Sequence, residues 1–518
     1  MKDKILILGH HPLCDSLIKQ YKRKGCDVVV RESIDTDLDI NRYSEVCLLP
    51  IESPFLQDNT QTDGVTLSTL HDLAFLYHPA QHNGRKLKCH MLLTNNKTLQ
   101  IIQIQDFSSK IRNSLDVYPF TMEDEWSKTI VLDRQPITIH SEKNVHLVIF
   151  GKSQMTERVA INAAYMAHYP NYIRNHELRT RITIISEQIE SWRDGFIQRY
   201  QNLFEHSFYR SVSAQHQIDF HHPIYTHRED FVDIEWEFVD ATCYSQIVKE
   251  KLQFWSCSHE HQLLTIVFAH EENMQNIQEA FILPACVCEN KIPVYVYTNS
   301  SALFQNISLQ EKAVGMIPFG MLDRGYDIEL PLVEMAKTVN AIYQHCYIDD
   351  VAKGEKNLTT AVRFLKYAVD TTSEERNRLW EDLPFRMRMS CIGNAMNVAT
   401  KMHSVGIMEN EWIHFYELSS EEIEMLAQVE HNRWCVERLI MGWRSCTDEE
   451  RKKVDEDICQ KKELKLKKIH YDLCAFSELG FDETGKHVAL YDLCLCASIP
   501  YIVKHASEYQ HQKGGEDK

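Results

Sequence analysis

The stretch Val145–Thr156, VHLVIFGKSQMT, decides the fold. Its first half is an apolar run without alternation, the pattern of a strand buried on both faces of a parallel sheet. Gly151 then marks a sharp turn, and the spacing over Thr156–Ala167 predicts a helix. Strand-like runs recur at Arg181–Ile185, Ile234–Val239, Leu263–Ala269, Ile292–Tyr297 and Val314–Pro318, with helical segments between them. That spacing predicts a doubly wound α/β lobe over residues 141–330. Upstream, residues 1–140 carry a similar pattern: strands at Lys4–Leu8, Asp27–Val30, Glu45–Leu49 and Lys88–Thr94, and helices over Leu13–Lys24 and Leu67–Tyr77. Downstream the β signal fades. Val333–Tyr347, Leu358–Asp370 and the Met- and Arg-rich stretch Arg378–Met402 predict a helical connector over 331–415. A small helical domain is expected over 416–505, with a disordered tail over 506–518. The expected fold class is α/β: two tandem doubly wound parallel-sheet domains and an all-α C-terminal domain.

Composition narrows the function classes. Over 518 residues, 74 acidic against 56 basic side chains leave a formal charge of −18, with 44% hydrophobic residues. The hydrophobic content excludes a disordered chain, and the negative charge disfavours DNA or anionic lipid as a non-specific partner. The length predicts about three or four domains, each able to bury a core. No run approaches the roughly 18 apolar residues of a membrane span, and MKDKILILGHH passes directly from charge into a strand-like run. The 16 cysteines are scattered, none followed by another three positions later. This pattern predicts reduced thiols in a cytoplasmic protein.

The turn after the first strand of each lobe is the informative place for chemistry. A dinucleotide-binding turn uses glycines so that the backbone reaches the pyrophosphate and the helix N-terminus points at negative charge. In the second lobe that register reads Gly151, Ser153, Thr156, so one glycine is present and two hydroxyls are available to donate to a phosphate. Glu187 stands where an acid would accept from a ribose hydroxyl. The cofactor stays unknown from the sequence: NAD or another nucleotide is the class such a turn would hold, and a lobe that has lost its ligand is the alternative. In the first lobe the register is Gly9, His11, Cys14, and Pro12 removes a donor, so that lobe is read as degenerate. The P-loop imitation GKS lacks its upstream glycine, which is His146, and HEENM at His270 lacks the second histidine of a zinc helix. No metal site is expected.

The block LAQVEHNRWCVERLIMGW (426–443) holds polar and aromatic residues that a simple amphipathic helix does not require. Ser419 or Ser420 is the expected N-cap, and Gly442 with Trp443 the expected end. With KKIHYDLCAFSEL and YDLCLCASIPYIV further on, this block resembles the RyR domain, the module repeated in ryanodine receptors and also found alone or fused in bacterial proteins. The resemblance rests on Glu430, His431, Asn432, Arg433, Trp434, Arg438, Gly442 and Trp443, then Ile469, His470, Asp472 and Leu479, then Tyr491, Asp492, Ile499 and Pro500. It covers under a fifth of the chain. Ser445 and Cys446 replace the usual tyrosine and glycine after the GW pair, Tyr471 stands where proline is usual, and an insertion rich in lysine and acidic residues separates the first two blocks.

The two α/β lobes resemble, more weakly, the TrkA-N or RCK type of Rossmann domain that gates potassium channels. Together the two resemblances imply a non-enzymatic sensor or regulator that binds a small nucleotide-type ligand and self-associates. They further imply a separate membrane or effector protein as partner, in ion transport or defence signalling. In the RyR-like module the implied ligand residues are His431, Asn432, Arg433, Trp434, Arg438, Trp443, His470, Tyr491 and Asp492. Arg433 or Arg438 would pair with a phosphate, Trp434 or Trp443 stack on a base, and Asn432 read an edge. The lysines at 461, 462, 465, 467 and 468 read as a solvated face. Two other classes stay open. One is an enzyme acting on a nucleotide, an NAD-linked oxidoreductase or NAD-consuming hydrolase using Asp240, His270, Glu271 or Asp323; the other is a ligand-free scaffold.

Overall fold

A computed structural model describes residues 3–35, 37–51, 59–223, 229–299, 315–348, 371–408 and 418–514. The chain is mixed α/β with two parallel sheets. The first contains β1 (Lys4–His10), β2 (Asp27–Arg31), β3 (Glu45–Ile51), β4 (Leu87–Leu92) and β5 (Leu115–Phe120), in the order β2-β1-β3-β4-β5. The second contains β6 (Asn144–Phe150), β7 (Thr180–Ser186), β8 (Phe208–Val212), β9 (Ile218–His221), β10 (Ile234–Asp240), β11 (Gln262–Phe268), β12 (Val294–Tyr297) and β13 (Met316–Phe319). Its order is β13-β12-β11-β6-β7-β10-β8-β9, with every pairing parallel except β8 with β9.

Without the β8–β9 hairpin, the second sheet keeps the doubly wound order 3-2-1-4-5-6, in which the strand order reverses between the first and fourth strands. Those strands are β6 and β11, and the turns after them carry Gly151 and Ala269. The apolar runs are continuous because each strand is covered twice. Leu147 and Ile149 of β6 join one core with Ile182, Ile184, Trp236 and Phe238, while Val148 and Phe150 join another with Val239, Leu252, Ile266 and Phe268.

The hairpin is one departure from expectation. FYRSV and IDFH are short and half exposed, so they lack the buried apolar signal of the other strands. β5 was equally unmarked, since Pro119 interrupts LDVYPF. At the C-terminus the helices Pro331–Ile348, Ser373–Glu381, Phe385–Met396, Val398–Ser404, Ser420–Ile440 and Ala489–Ala497 follow. The expected helix Leu358–Asp370 lies outside the described residues. A two-residue parallel pairing of Arg444–Ser445 with Ile469–His470 means this region is not purely helical. The connector and the 416–505 stretch share one core: Val339, Ala395, Val398, Leu426, Leu493 and Ile502 pack together. The boundary expected at 416 is therefore not a packing boundary. The closing helix Ile499–Gly514 runs through positions read from sequence as a tail.

The lobes are stitched by the segment after β13. Tyr326 stacks on Phe120 with ring centroids 3.6 Å apart, Trp126 Nε1 donates to the Met321 carbonyl at 3.1 Å, and Gln20 Nε2 donates to the Tyr326 carbonyl at 2.8 Å.

Gly151 has φ +124°, and a Cβ placed there would lie 2.8 Å from the Ala269 carbonyl oxygen. Any side chain would therefore be strained in its backbone and would push β6 and β11 apart. Gly151→Ala is expected to cost about 1–3 kcal/mol in urea denaturation. Gly195→Ala, in a helix with open space around it, is expected to gain up to about 1 kcal/mol.

Candidate functional site

Three places bear on function, and the first is the switch-point turn. The helix Gln154–Met166 starts there with a capping box: Ser153 Oγ accepts from the Thr156 amide at 3.1 Å, and the Ser153 amide donates to Thr156 Oγ1 at 3.2 Å. Both hydroxyls donate to the Ala269 carbonyl, at 2.5 Å from Ser153 and 3.0 Å from Thr156. This corrects the expectation that they face a phosphate, because each hydroxyl carries one proton and that proton is engaged. Gly151 is buried, while Glu187 sits exposed in the turn after β7. Its backbone carbonyl accepts from Lys152 Nζ at 2.9 Å. Of the acids and bases suggested for an enzyme, Asp240 accepts from the Gln188 amide at 2.7 Å, and His270 Nε2 lies 2.9 Å from Glu279.

The second place is the helix Ser420–Ile440, which Ser419 caps with a box closed by Glu422, over a first turn containing Glu421 and Glu422. Glu430, Arg433 and Glu437 lie on one face at helical spacing. Arg433 donates from Nε and Nη2 to Glu430 at 2.9 and 2.8 Å and from Nη1 to Glu437 at 2.6 Å. Lys401 Nζ completes the network at 2.5 Å from Glu430. Burial alone would raise the Glu430 carboxyl, but Arg433 and Lys401 hold it well below the usual carboxylate range. Glu430 and Arg433 are both 0% exposed. Arg433 is therefore consumed by the interior and cannot pair with a phosphate, contrary to expectation.

Several other sequence-predicted residues are structural too. His431 is buried; its Nε2 donates to the Cys474 carbonyl at 2.9 Å and its Nδ1 lies 3.3 Å from Asp492. This ties the helix to Ala489–Ala497. Asn432 is buried as well, and Tyr491 donates to Asp482 at 2.7 Å. Among the lysines read as solvated, Lys461 is an exception: it is buried and bonds Asp472 at 3.0 Å.

Trp434, Arg438, Trp443 and His470 come together at the half-buried end of the same helix. The Arg438 guanidinium lies over both indoles, 5.4 Å from the Trp434 ring and 5.8 Å from that of Trp443. His470 meets both indoles edge-on, at 4.9 and 5.6 Å between centroids. The short pairing of Arg444–Ser445 with Ile469–His470 brings it there. Arg438 Nη2 donates to Ser390 Oγ at 3.2 Å, while its Nε has no acceptor among the described residues. Burial, with Lys465, Arg438 and Lys461 nearby, pushes the His470 imidazole down to about 3 against the pull of Asp472.

Sequence reasoning missed a third group. Glu45 accepts from Tyr21 and bonds His90, whose other nitrogen bonds Tyr326. Burial alone would raise the Glu45 carboxyl, yet His90 and Lys88 hold it well below the usual range. The group borders a cleft of about 1760 Å³ between the first lobe and the 322–334 segment. Glu45 is the first residue of β3 and His90 lies in the middle of β4, so the group is not at the carboxyl edge where open α/β sheets bind ligands. Its partners are far apart in sequence, so no motif announces it.

Among the described residues no helix is long and apolar enough to cross a membrane, and no group of three or more His, Cys, Asp or Glu is placed to hold a metal ion. All 16 cysteines are free thiols, and only Cys257 and Cys459 are exposed. The chain matches no protein-family model, no curated protein and no solved structure.

Two outcomes follow from this geometry. Glu430→Gln leaves Lys401 and Arg433 buried with one carboxylate between them, and is expected to cost about 3–5 kcal/mol in urea denaturation. For His470 the folded imidazole resists protonation that the unfolded chain accepts at about 6.5. Its contribution to stability is whole above that pH and is lost as pH falls toward about 3. His470→Gln should therefore flatten the fall of Tm on acidification below pH 6.5, measured by calorimetry against the wild type.

Proposed function

We propose that the chain is a non-catalytic sensor that binds a nucleotide-type ligand at the Trp434–Arg438–Trp443–His470 cluster. On this reading residues 416–505 form a RyR-like module, and the two α/β units are Rossmann-like lobes that receive the signal and pass it to a partner protein. The observation that carries it is Arg438: a guanidinium at the rim, its side chain 18% exposed, over two indoles, with a buried Nε donor that finds no acceptor among the described residues. Aromatic faces suit a base, and a guanidinium suits a phosphate in a way an ammonium does not. A path toward the second lobe also supports it. Arg438 bonds Ser390 on Phe385–Met396, and Asn397, at the end of that helix, donates to the Met166 carbonyl at 2.6 Å. Met166 ends the helix that begins at Ser153.

A second reading has a specific observation behind it. Because Ser153 and Thr156 both donate to the Ala269 carbonyl, the second lobe suits a ligand-free scaffold better than an NAD site.

Calorimetric unfolding with NAD, NADH, ATP, ADP, AMP and cyclic nucleotides tests the proposal. A bound compound at about 100 times its Kd should stabilise the protein by roughly 2.7 kcal/mol. That gain should vanish in Arg438→Ala and persist in Gly151→Ala. A gain lost only in the Gly151 variant moves the site to the second lobe, and no gain with any compound favours the scaffold.

A further inference from the structure

Large exposed apolar side chains gather at one edge of the second lobe. β9 ends the sheet order, and among the described residues no strand pairs with its outer side. Ile218 and Phe220 on β9 are 56% and 61% exposed, and Phe254 on the helix Gln246–Cys257 is 70% exposed. With Arg210, Lys251 and Trp255 they line one groove of about 490 Å³. Exposed edges are ordinarily blunted by proline or lysine. The segment QIDFHH (217–222) contains neither, and Pro223 comes only after the strand has ended.

We infer that β9 is a self-association edge, where a second copy of this chain adds its own β9 antiparallel about a two-fold axis through Phe220. Side chains that oppose one another across an antiparallel pair share a face, so the axis must pass through a residue and not between two. An axis through Asp219 sets two carboxylates against each other, which is unfavourable. One through Ile218 draws in His216, which lies in the preceding turn with φ +63°, and one through His221 draws in Pro223, which has no amide to donate. The axis through Phe220 stacks Phe220 against the partner's Phe220 and sets Asp219 against the partner's His221, twice by symmetry. His221 Nε2 is buried in the single chain and has no hydrogen-bond partner among the described residues. The paired Ile218 and Phe220 side chains extend the apolar wall that Phe254 begins, and two eight-stranded sheets become one. Two four-residue strands and their rim form a small interface, in the size class of weak, transient contacts.

Sedimentation velocity on the full chain from about 1 to 100 µM, the range in which a small interface associates, tests this. The mass should rise from 60.7 kDa toward twice that value. Phe220→Lys should stay monomeric throughout, with its circular dichroism and Tm unchanged. Asp219→Lys should weaken the dimer about tenfold, and adding His221→Glu should restore it by reversing the pair. A wild type that stays monomeric overturns the inference, as does a dimer indifferent to Phe220→Lys or a double variant no tighter than Asp219→Lys alone.

Discussion

Two cations and two carboxylates, all withdrawn from water, hold the C-terminal half of the molecule in place. Lys401 on the helix Val398–Ser404 and Glu430, Arg433 and Glu437 on Ser420–Ile440 span two helices, and each is buried. Such a cluster does not have to add net stability over well-packed apolar residues, because desolvating the charges costs about as much as their attraction returns. What it imposes is geometry, since displacing any one helix strands a charge in the interior. Gly393 belongs to the same constraint, because a Cβ there would lie 2.8 Å from Arg433 Nη1 and 2.9 Å from Glu437 Oε2. The helices therefore approach in one register, and that register presents Arg438, one residue beyond Glu437, at the rim beside Ser390.

The second lobe is governed by a different close approach. β6 and β11 come together at the switch point only because Gly151 has no side chain, and the Ser153 and Thr156 hydroxyls then fasten the new helix to the Ala269 carbonyl. That fastening is local chemistry turned inward. The same hydroxyls in a more open turn would face solvent and any phosphate in it. A helix anchored at Ser153 and held at Met166 by Asn397 is a stiff element between the sheet and the C-terminal helices.

The central parallel strands were legible from sequence because burial on both faces leaves an unbroken apolar run, as in VHLVIF and LLTIVFA, whereas Pro119 hid β5. The N-cap was legible to within one residue, Ser419 or Ser420, for a related reason, since capping is decided within four residues. FYRSV and IDFH were not, because a half-covered edge hairpin has neither a long apolar run nor a distinct turn signal. The polar block 430–443 was recognised as special, but its division into interior and rim was not. Arg433 meets carboxylates three and four positions away and Arg438 an indole four positions away on the same helix, but only the neighbouring helices decide that the first group is buried and the second stays at the rim.

The sequence by itself determined the elements: strand, helix and cap follow from periodicity and short-range chemistry within a few residues. Only the tertiary structure decided which polar groups are spent. Lys401 finds Glu430 on another helix, Ser153 finds Ala269 across 116 positions, and Glu45 finds Tyr21 and His90 from separate segments, with Tyr326 on the other nitrogen of His90. A buried donor or acceptor must be satisfied by whatever the fold brings near it, and that neighbour is a property of packing, to which local sequence is blind.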